Sequence, residues 1–288
     1  MAHRVLIIGK RGMLGHMVEH VLASDAQFAV SSIGRAELDV TSDVSRALDA
    51  LLSEVDYIIN CIGVTTRHID ERDPISVARA IHVNAEFPHA LTATAAQRGV
   101  RVIHMSTDGV FSGASSESYD ESAVPDATDV YGRTKLLGES RAPNVLNVRC
   151  SIIGPSPVKR EGLWEWLASQ PEGATIQGYT NHLWHGVTTR QCAELCARII
   201  REGRFDALRT DGHVLHYAPN APCSKYELLC AIREALGKRL TIEPMRHTQS
   251  VRRVLAARAV ALREMHGKPE LIADAVRRCA EMVSPPPR

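Results

Sequence analysis

"RVLIIGKRGMLGHMVEHVL" (residues 4–22) decides the fold. A short apolar run ends at Gly9, further glycines stand at 12 and 15, and residues 13–22 then place Met13, Leu14, Met17, Val18, Val21 and Leu22 at helical spacing. A strand, a tight turn and an amphipathic helix in that order open a βαβ unit. Each glycine has a physical task there. One permits the turn, one lets the backbone approach a pyrophosphate, and one lets helix and strand pack closely while the helix N-terminus faces the anion. Gly9, Arg11, Gly12, Met13 and Leu14 are therefore expected to hold a dinucleotide. The run G-x-x-x-x-G-K-[ST] is absent from the sequence, which disfavours an NTPase.

The same alternation continues outward. Strands are expected at 4–8, 28–33, 57–60, 101–106 and 145–149, with helices near 13–23, 42–53, 74–98 and 129–141. Nearly continuous apolar strands separated by helices imply an α/β doubly wound parallel sheet of the Rossmann type, whose ligand crevice lies beyond the carboxyl ends of the strands. Cys61, Ile62 and Gly63 after the third strand, Met105 at the end of the fourth, and Ser151 after the fifth are placed on that crevice. Past residue 150 the rhythm loosens into "GPSPVKREG" and the polar, aromatic "QGYTNHLWHGVTT". A helix from about 188 to 202 follows, capped by Thr188 or Thr189, then a strand at 213–218, a helix at 224–236 and a strand near 240–242. Residues 1–150 are read as a dinucleotide-binding Rossmann domain and 151–288 as a smaller substrate-binding region, with an interleaved boundary. "SPPPR" (284–288) reads as a frayed tail.

Composition narrows the function classes. Lys plus Arg (34) nearly balance Asp plus Glu (33) among 288 residues, and there is no long basic run, so nucleic acid is not the expected partner. The apolar start of the chain is too short to span a bilayer and no signal-peptide cleavage pattern follows, which makes the cytosol the expected compartment and a membrane an unexpected partner. Seven cysteines without paired spacing read as reduced thiols, and Cys192 with Cys196, four apart, suits helix packing better than a metal. Thirteen histidines are dispersed, so no metal site is expected. No sequence feature marks an interface, and a homodimer stays open.

Cofactor choice turns on the end of the second strand, where an acid would hold a ribose 2′-hydroxyl. Here "SSIGRAELDV" puts Arg35 at that place, with Lys10 and Arg11 in the glycine loop. Cations suit a 2′-phosphate, so NADP(H) is preferred; Glu37 keeps NAD(H) open. Asp39, beside Val40, is expected either to accept from the adenine amino group or to cap the helix beginning near 42.

Two further stretches are chemically particular. "DVYGRTKLLGE" carries Tyr131 and Lys135 on one face of a helix. An ammonium beside a phenol favours the phenolate, so Lys135 is expected to depress the Tyr131 pKa. "HMSTDGVFSG" ends a strand in Ser106 and Thr107, whose side chains point to opposite faces, so one of the two enters the cleft.

Together, "GKRGMLG", "NCIG", "HMSTDGVFSG" and "DVYGRTKLLGE" occur in the order and at about the separations of extended short-chain dehydrogenase/reductases. Over residues 1–155 the chain most resembles the dTDP-4-dehydrorhamnose reductase group of sugar-nucleotide reductases. The resemblance implies Tyr131 as general acid toward a carbonyl, Lys135 as holder of the nicotinamide ribose, and Thr107 as hydrogen-bond donor to the same carbonyl. It implies a minor place for Asn84, and Asp108, Gly109, Trp184, Arg252 or Arg253 on the side of a nucleotide-sugar substrate. Trp164 and Trp166 are weighed with Trp184 as pocket or packing residues. Gly109 stands where the group usually has an aromatic residue, and "CIGVT" where it has an alanine-rich turn ending in tyrosine. Both departures adjoin the expected sugar site. Two other readings are carried: a nucleotide-sugar epimerase or dehydratase with tightly held NAD, and a non-catalytic NADP-binding regulatory subunit.

Overall fold

The computed structural model describes residues 2–41, 44–210, 212–266 and 269–282. The tail "SPPPR" and the first residues of the helix expected near 42 lie outside them. The first half runs β1 (His3–Ile8), α1 (Gly15–Ala23), β2 (Phe28–Ile33), α2 (Ser45–Leu51), β3 (Tyr57–Asn60), α3 (Pro74–Ile81), α4 (Phe87–Gln97), β4 (Arg101–Met105), α5 (Val130–Leu137) and β5 (Val145–Arg149). After it come β6 (Ile152–Ile153), α6 (Leu163–Ala168), β7 (Thr175–Tyr179), β8 (His182–Trp184), β9 (Val187–Thr188), α7 (Thr189–Arg201), α8 (Phe205–Thr210) and β10 (Val214–His216). The chain continues through β11 (Cys223–Ser224), α9 (Lys225–Ala235), β12 (Thr241–Met245), β13 (Val251–Arg253), α10 (Val260–His266) and α11 (Ile272–Glu281).

Six strands form one parallel sheet in the order β10-β5-β4-β3-β1-β2. The alternation of strand side chains explains its two coats. Val5 and Ile7 of β1 pack into one apolar cluster with Met17 and Val18 of α1 and Ile199 of α7, while Leu6 and Ile8 pack into another with Leu48 of α2 and Leu91 of α4. A doubly wound sheet is the result, and its order reverses at β1, with β2 on one side and β3 on the other. A crevice opens at such a reversal because the connections leave in opposite directions.

Several elements depart from the sequence reading. The expected helix 74–98 is broken by a π-helical turn at His82–Glu86. Pro88 is the physical reason: it has no N–H to give the Asn84 carbonyl, so the ladder loosens by one residue there. The helix expected over 129–141 ends at Leu137. The polar run around 182–188 contains β8 and β9, which are strands because β11 and β13 pair with β8 and β6 pairs with β9. The strand expected at 213–218 is shorter and supplies the sheet's edge, β10, so the second half of the chain contributes to the first half's sheet. Thr188 and Ser224 cap α7 and α9 in reciprocal boxes with Gln191 and Glu227.

At the end of β10, His216 faces Tyr119 O through Nδ1 (3.0 Å) and Arg149 Nη1 through Nε2 (3.4 Å). Burial, reinforced by the Arg149 charge, pushes its pKa down to about 4. A group depressed below its unfolded value of about 6.5 gives stability that is full above that value and lost as pH falls through the folded one. Thermal unfolding should therefore shift to lower temperature as pH drops from about 6.5 to 4. The loss should be smaller in His216→Gln, whose side-chain oxygen still accepts from Arg149.

Candidate active site

A cleft of about 1220 Å³ crosses the carboxyl edge of the sheet. Gly9, Arg11, Gly12, Met13 and Leu14 line one part of it. The turn works because Gly9 adopts φ 101° and α1 comes so close that a Cβ on Gly15 would stand 2.1 Å from the Gly9 carbonyl oxygen. Arg35, Asp39 and Val40 line the part beyond β2; Cys61, Ile62 and Gly63 the part beyond β3; Met105 and Ser151 the floor.

At the β2 end, Lys10 turns to Glu37 (2.7 Å), whose other carboxylate oxygen accepts from Gly34 N (2.8 Å). That pair holds the Glu37 pKa down at about 2, and neither residue lines the cleft. Arg35 does line it, 3.6 Å from Asp39. The Asp39 carboxylate accepts from Thr41 N and Oγ1, so it closes a local turn; α2 starts later and is not capped by it.

The far end gathers three segments. Asp129 caps α5 by accepting from Gly132 N (2.8 Å), which fixes the helix start that carries Tyr131. Gly132 is needed because a Cβ there would lie 2.3 Å from Gly109 O. The turn that follows β4 is thereby pressed against the helix. Above Gly109 the two side chains converge: a Cβ on Gly109 would be 3.2 Å from both Thr107 Oγ1 and Tyr131 Cε1. Ser106 points the other way, donating to Glu139 Oε1 at 2.6 Å. Of the adjacent pair, Thr107 thus faces Tyr131.

Lys135 is 3% exposed. Its Nζ donates to Met105 O (2.6 Å) and lies 3.4 Å from His104 Nε2, while His104 Nδ1 lies 3.1 Å from Asn60 Nδ2. Burial draws the Lys135 pKa down to about 8, partly offset by the Glu139 charge. Burial and the Lys135 charge hold His104 neutral, well below the usual histidine range. Asn84, in the π turn, accepts from Val64 N (2.8 Å) and donates to Val64 O (2.9 Å) and Thr134 Oγ1 (3.1 Å). It ties the loop after β3 to α5.

The expected depression of the Tyr131 pKa is not what the geometry gives. Burial of the ring dominates and pushes the phenol up to about 12, a hydrogen bond with Thr107 draws it back, and the charge of Asp108 raises it further. Tyr131 is therefore a neutral acid across the physiological range. Asp108 is buried, which raises its pKa, while Arg253 and Lys225 pull it down.

The family model for the RmlD substrate binding domain matches residues 3–264. The chain belongs to that family. Among its relatives, a dTDP-4-keto-6-deoxy-D-glucose reductase of Streptomyces niveus is 34% identical over 146 residues, 51% of this chain and 49% of that protein. The chain spans about half the length of the curated relatives it matches. Two solved structures share the fold. A dTDP-4-dehydrorhamnose reductase of Bacillus anthracis in complex with NADP has a TM-score of 0.78 at 18% identity, covering 97% of this chain and 99% of that one. A dTDP-glucose 4,6-dehydratase of Streptomyces venezuelae with NAD bound has 0.71 at 21%, covering 97% and 96%.

In this RmlD-family chain Asp108, Gly109 and Arg253 line the cleft, and Trp184 and Arg252 do not. Trp184 is an interior residue, 4% exposed, whose Nε1 donates to Ser151 Oγ (2.7 Å) and steadies that cleft residue from behind. Trp164 is also interior, whereas Trp166 reaches the cleft wall. Arg252 and Arg253 alternate along β13, and the strand presents the second. Four contributors were not read from the sequence: His104 and Glu139 around Lys135, Lys225 near Asp108, and the loop with Lys159 that lines the cleft along with Arg67 and His68. A histidine inside the apolar run "RVIHM" was the signal available for the first. His68 Nε2 meets Glu161 Oε2 at 2.8 Å, joining two segments of the wall.

No helix among the described residues is long and apolar enough to cross a membrane, and no cluster of three or more His, Cys, Asp or Glu among them suits a metal ion.

Gly15→Ala forces a Cβ onto backbone that has no room to yield. Its unfolding free energy should fall by about 1–3 kcal/mol, the usual cost of overpacking, measured by denaturant titration against wild type.

Proposed function

We propose that this chain is an NADP(H)-dependent reductase of the 4-keto group of a nucleotide-activated deoxysugar, serving deoxysugar supply for a surface polysaccharide in the cytosol. One observation carries the reading: Thr107 and Tyr131 converge over Gly109, with Lys135 beneath, on the wall of the cleft that the glycine loop opens. The activities for which its relatives are named agree with it.

The residues fit the cofactor. Gly9 and Gly12 line the cleft beside the start of α1, and Gly15, with no side chain, lets that helix pack against the Gly9 carbonyl. Arg11 and Arg35 suit a 2′-phosphate, and the acid that would favour NAD(H), Glu37, is engaged by Lys10 and Gly34. When bound, the reduced nicotinamide supplies a hydride to the carbonyl carbon. Tyr131 gives its phenolic proton to the carbonyl oxygen, Thr107 donates a hydrogen bond to the same oxygen, and an alcohol forms. The Lys135 ammonium favours the phenolate left behind. A phenol whose pKa lies near 12 is always charged with the proton it must give.

On the substrate side, Arg253 Nε is buried and has no partner among the described residues, which suits the diphosphate of a nucleotide sugar. Residues 151–288 would serve as the substrate-binding region by bringing Arg253 and Lys225 toward Asp108 of residues 1–150. A dehydratase needs acid groups beside the threonine; Asp108 is one, and Gly109 offers no second. A regulatory subunit would bind NADP, co-purify with a partner enzyme and reduce nothing.

NADPH oxidation against a panel of dTDP-4-keto-6-deoxy sugars tests the proposal. Tyr131→Phe should lower kcat by about 10²–10⁴-fold with NADPH affinity retained. An unchanged rate in that variant, or no NADPH binding by wild type, refutes the mechanism. The wild-type rate should fall above about pH 8 as Lys135 loses its proton. Arg35→Ala should weaken NADPH binding by about tenfold and NADH binding far less, read by nicotinamide fluorescence titration.

A further inference from the structure

Behind the cleft wall runs a buried polar chain outside the acid-base set. Glu139, just past the end of α5, accepts from Ser106 Oγ (2.6 Å), from Arg149 Nε (2.8 Å) and, through its other oxygen, from Arg149 Nη2 (2.6 Å). The Glu139 and Arg149 side chains are 2% and 5% exposed. Arg149, the last residue of β5, also lies 5.4 Å over the Phe111 ring and reaches His216. One carboxylate therefore joins the end of β4, the end of α5 and the end of β5.

We propose that Glu139 is a positioning residue of the reaction: it locks the strand end that presents Thr107 to the helix that presents Tyr131 and Lys135, and its negative charge keeps Lys135 an ammonium ion. The inference rests on the reductase reading. Its first part follows from connectivity. Ser106 precedes Thr107 directly, and Glu139 follows Lys135 by four residues, so the 2.6 Å bond between them closes a rigid loop through all three acting side chains.

The second part follows from what faces Lys135. His104 approaches from β4, Cys61 from beyond β3 and Cys150 from beyond β5, and Tyr131 stands one helical turn earlier on α5. His104, Cys61 and Tyr131 are each biased toward the neutral form by burial. Glu139 is the carboxylate in that set. Stability alone is a weak reason for such an ion pair, because well-packed apolar residues of similar volume commonly serve a fold as well or better.

Glu139→Gln separates position from charge, since the amide can still accept from Ser106. The Nζ resonance of Lys135, followed against pH in protein carrying nitrogen-labelled lysine, should show about tenfold weaker proton affinity than wild type. In the same variant kcat should fall about tenfold or more, with the KM for NADPH changed by less than about twofold, and the basic limb of kcat/KM should move to lower pH. Glu139→Asp, which keeps the charge, should recover the Lys135 titration. If Glu139→Gln fails to fold because Arg149 is stranded, Glu139→Gln with Arg149→Met removes both charges and must shift Lys135 in the same direction by less, because the opposing Arg149 charge is lost as well. Wild-type titration and kcat in a folded variant overturn the proposal. Should wild type reduce no sugar nucleotide while the Lys135 shift still appears, the reductase reading fails and the electrostatic assignment stands.

Discussion

An ammonium ion buried under the end of a β-strand is the constraint on which this structure turns. Water is a far better host for Lys135 than the protein interior, and the cost of removing it is several kcal/mol unless fixed dipoles and charges replace the lost hydration. The replacement comes from separate parts of the chain: the Met105 carbonyl, the His104 ring beside Asn60, and the field of Glu139. None of these works if β3, β4 and α5 shift relative to one another. The parallel register that pairs Asn60 with His104 is therefore part of the chemistry as well as of the sheet.

The same constraint explains why polar groups concentrate at one edge of an otherwise apolar sheet. In the middle of β4 and β5, Ile103 and Leu146 are fully buried among aliphatic neighbours. Toward the carboxyl ends come Ser106, Thr107 and Arg149, which need partners that only the neighbouring element can supply. α5 and the turn just past it supply Tyr131 and Glu139, and they can do so because two backbone segments meet at Gly132 without a side chain between them. Tyr131 gains a neutral, proton-bearing phenol from the same dryness that makes Lys135 costly.

The first half of the chain was readable because its signals are local. Strand alternation, the three glycines and the four-residue spacing of Tyr131 and Lys135 each depend on residues near one another in sequence. What escaped depends on contacts between distant segments. β8 reads as a polar loop and is a strand only through its pairing with β11 and β13. Arg252 and Arg253 are indistinguishable in composition, and the strand's orientation selects between them. The direction of the Tyr131 shift was misjudged because proximity to Lys135 on a helix face is visible in sequence, whereas the burial that outweighs it is not. The π turn left a trace in Pro88, legible only once one asks which carbonyl that residue leaves without a donor.

That turn bears on how the family can vary. α3 and α4 would be a single helix but for one surplus residue between them, and a helix advances by about 100° per residue. Deleting position 82, 83, 85 or 86 would remove the surplus residue and rotate one helix against the other by roughly that angle, while Pro88 would still leave one carbonyl without a donor. Asn84 would then leave both Val64 and Thr134, and the loop after β3 would lose its tie to α5. Asn84 is held by its bonds to Val64 and Thr134, and the length of the segment that carries it is counted. Here the chain stores functional information as an integer.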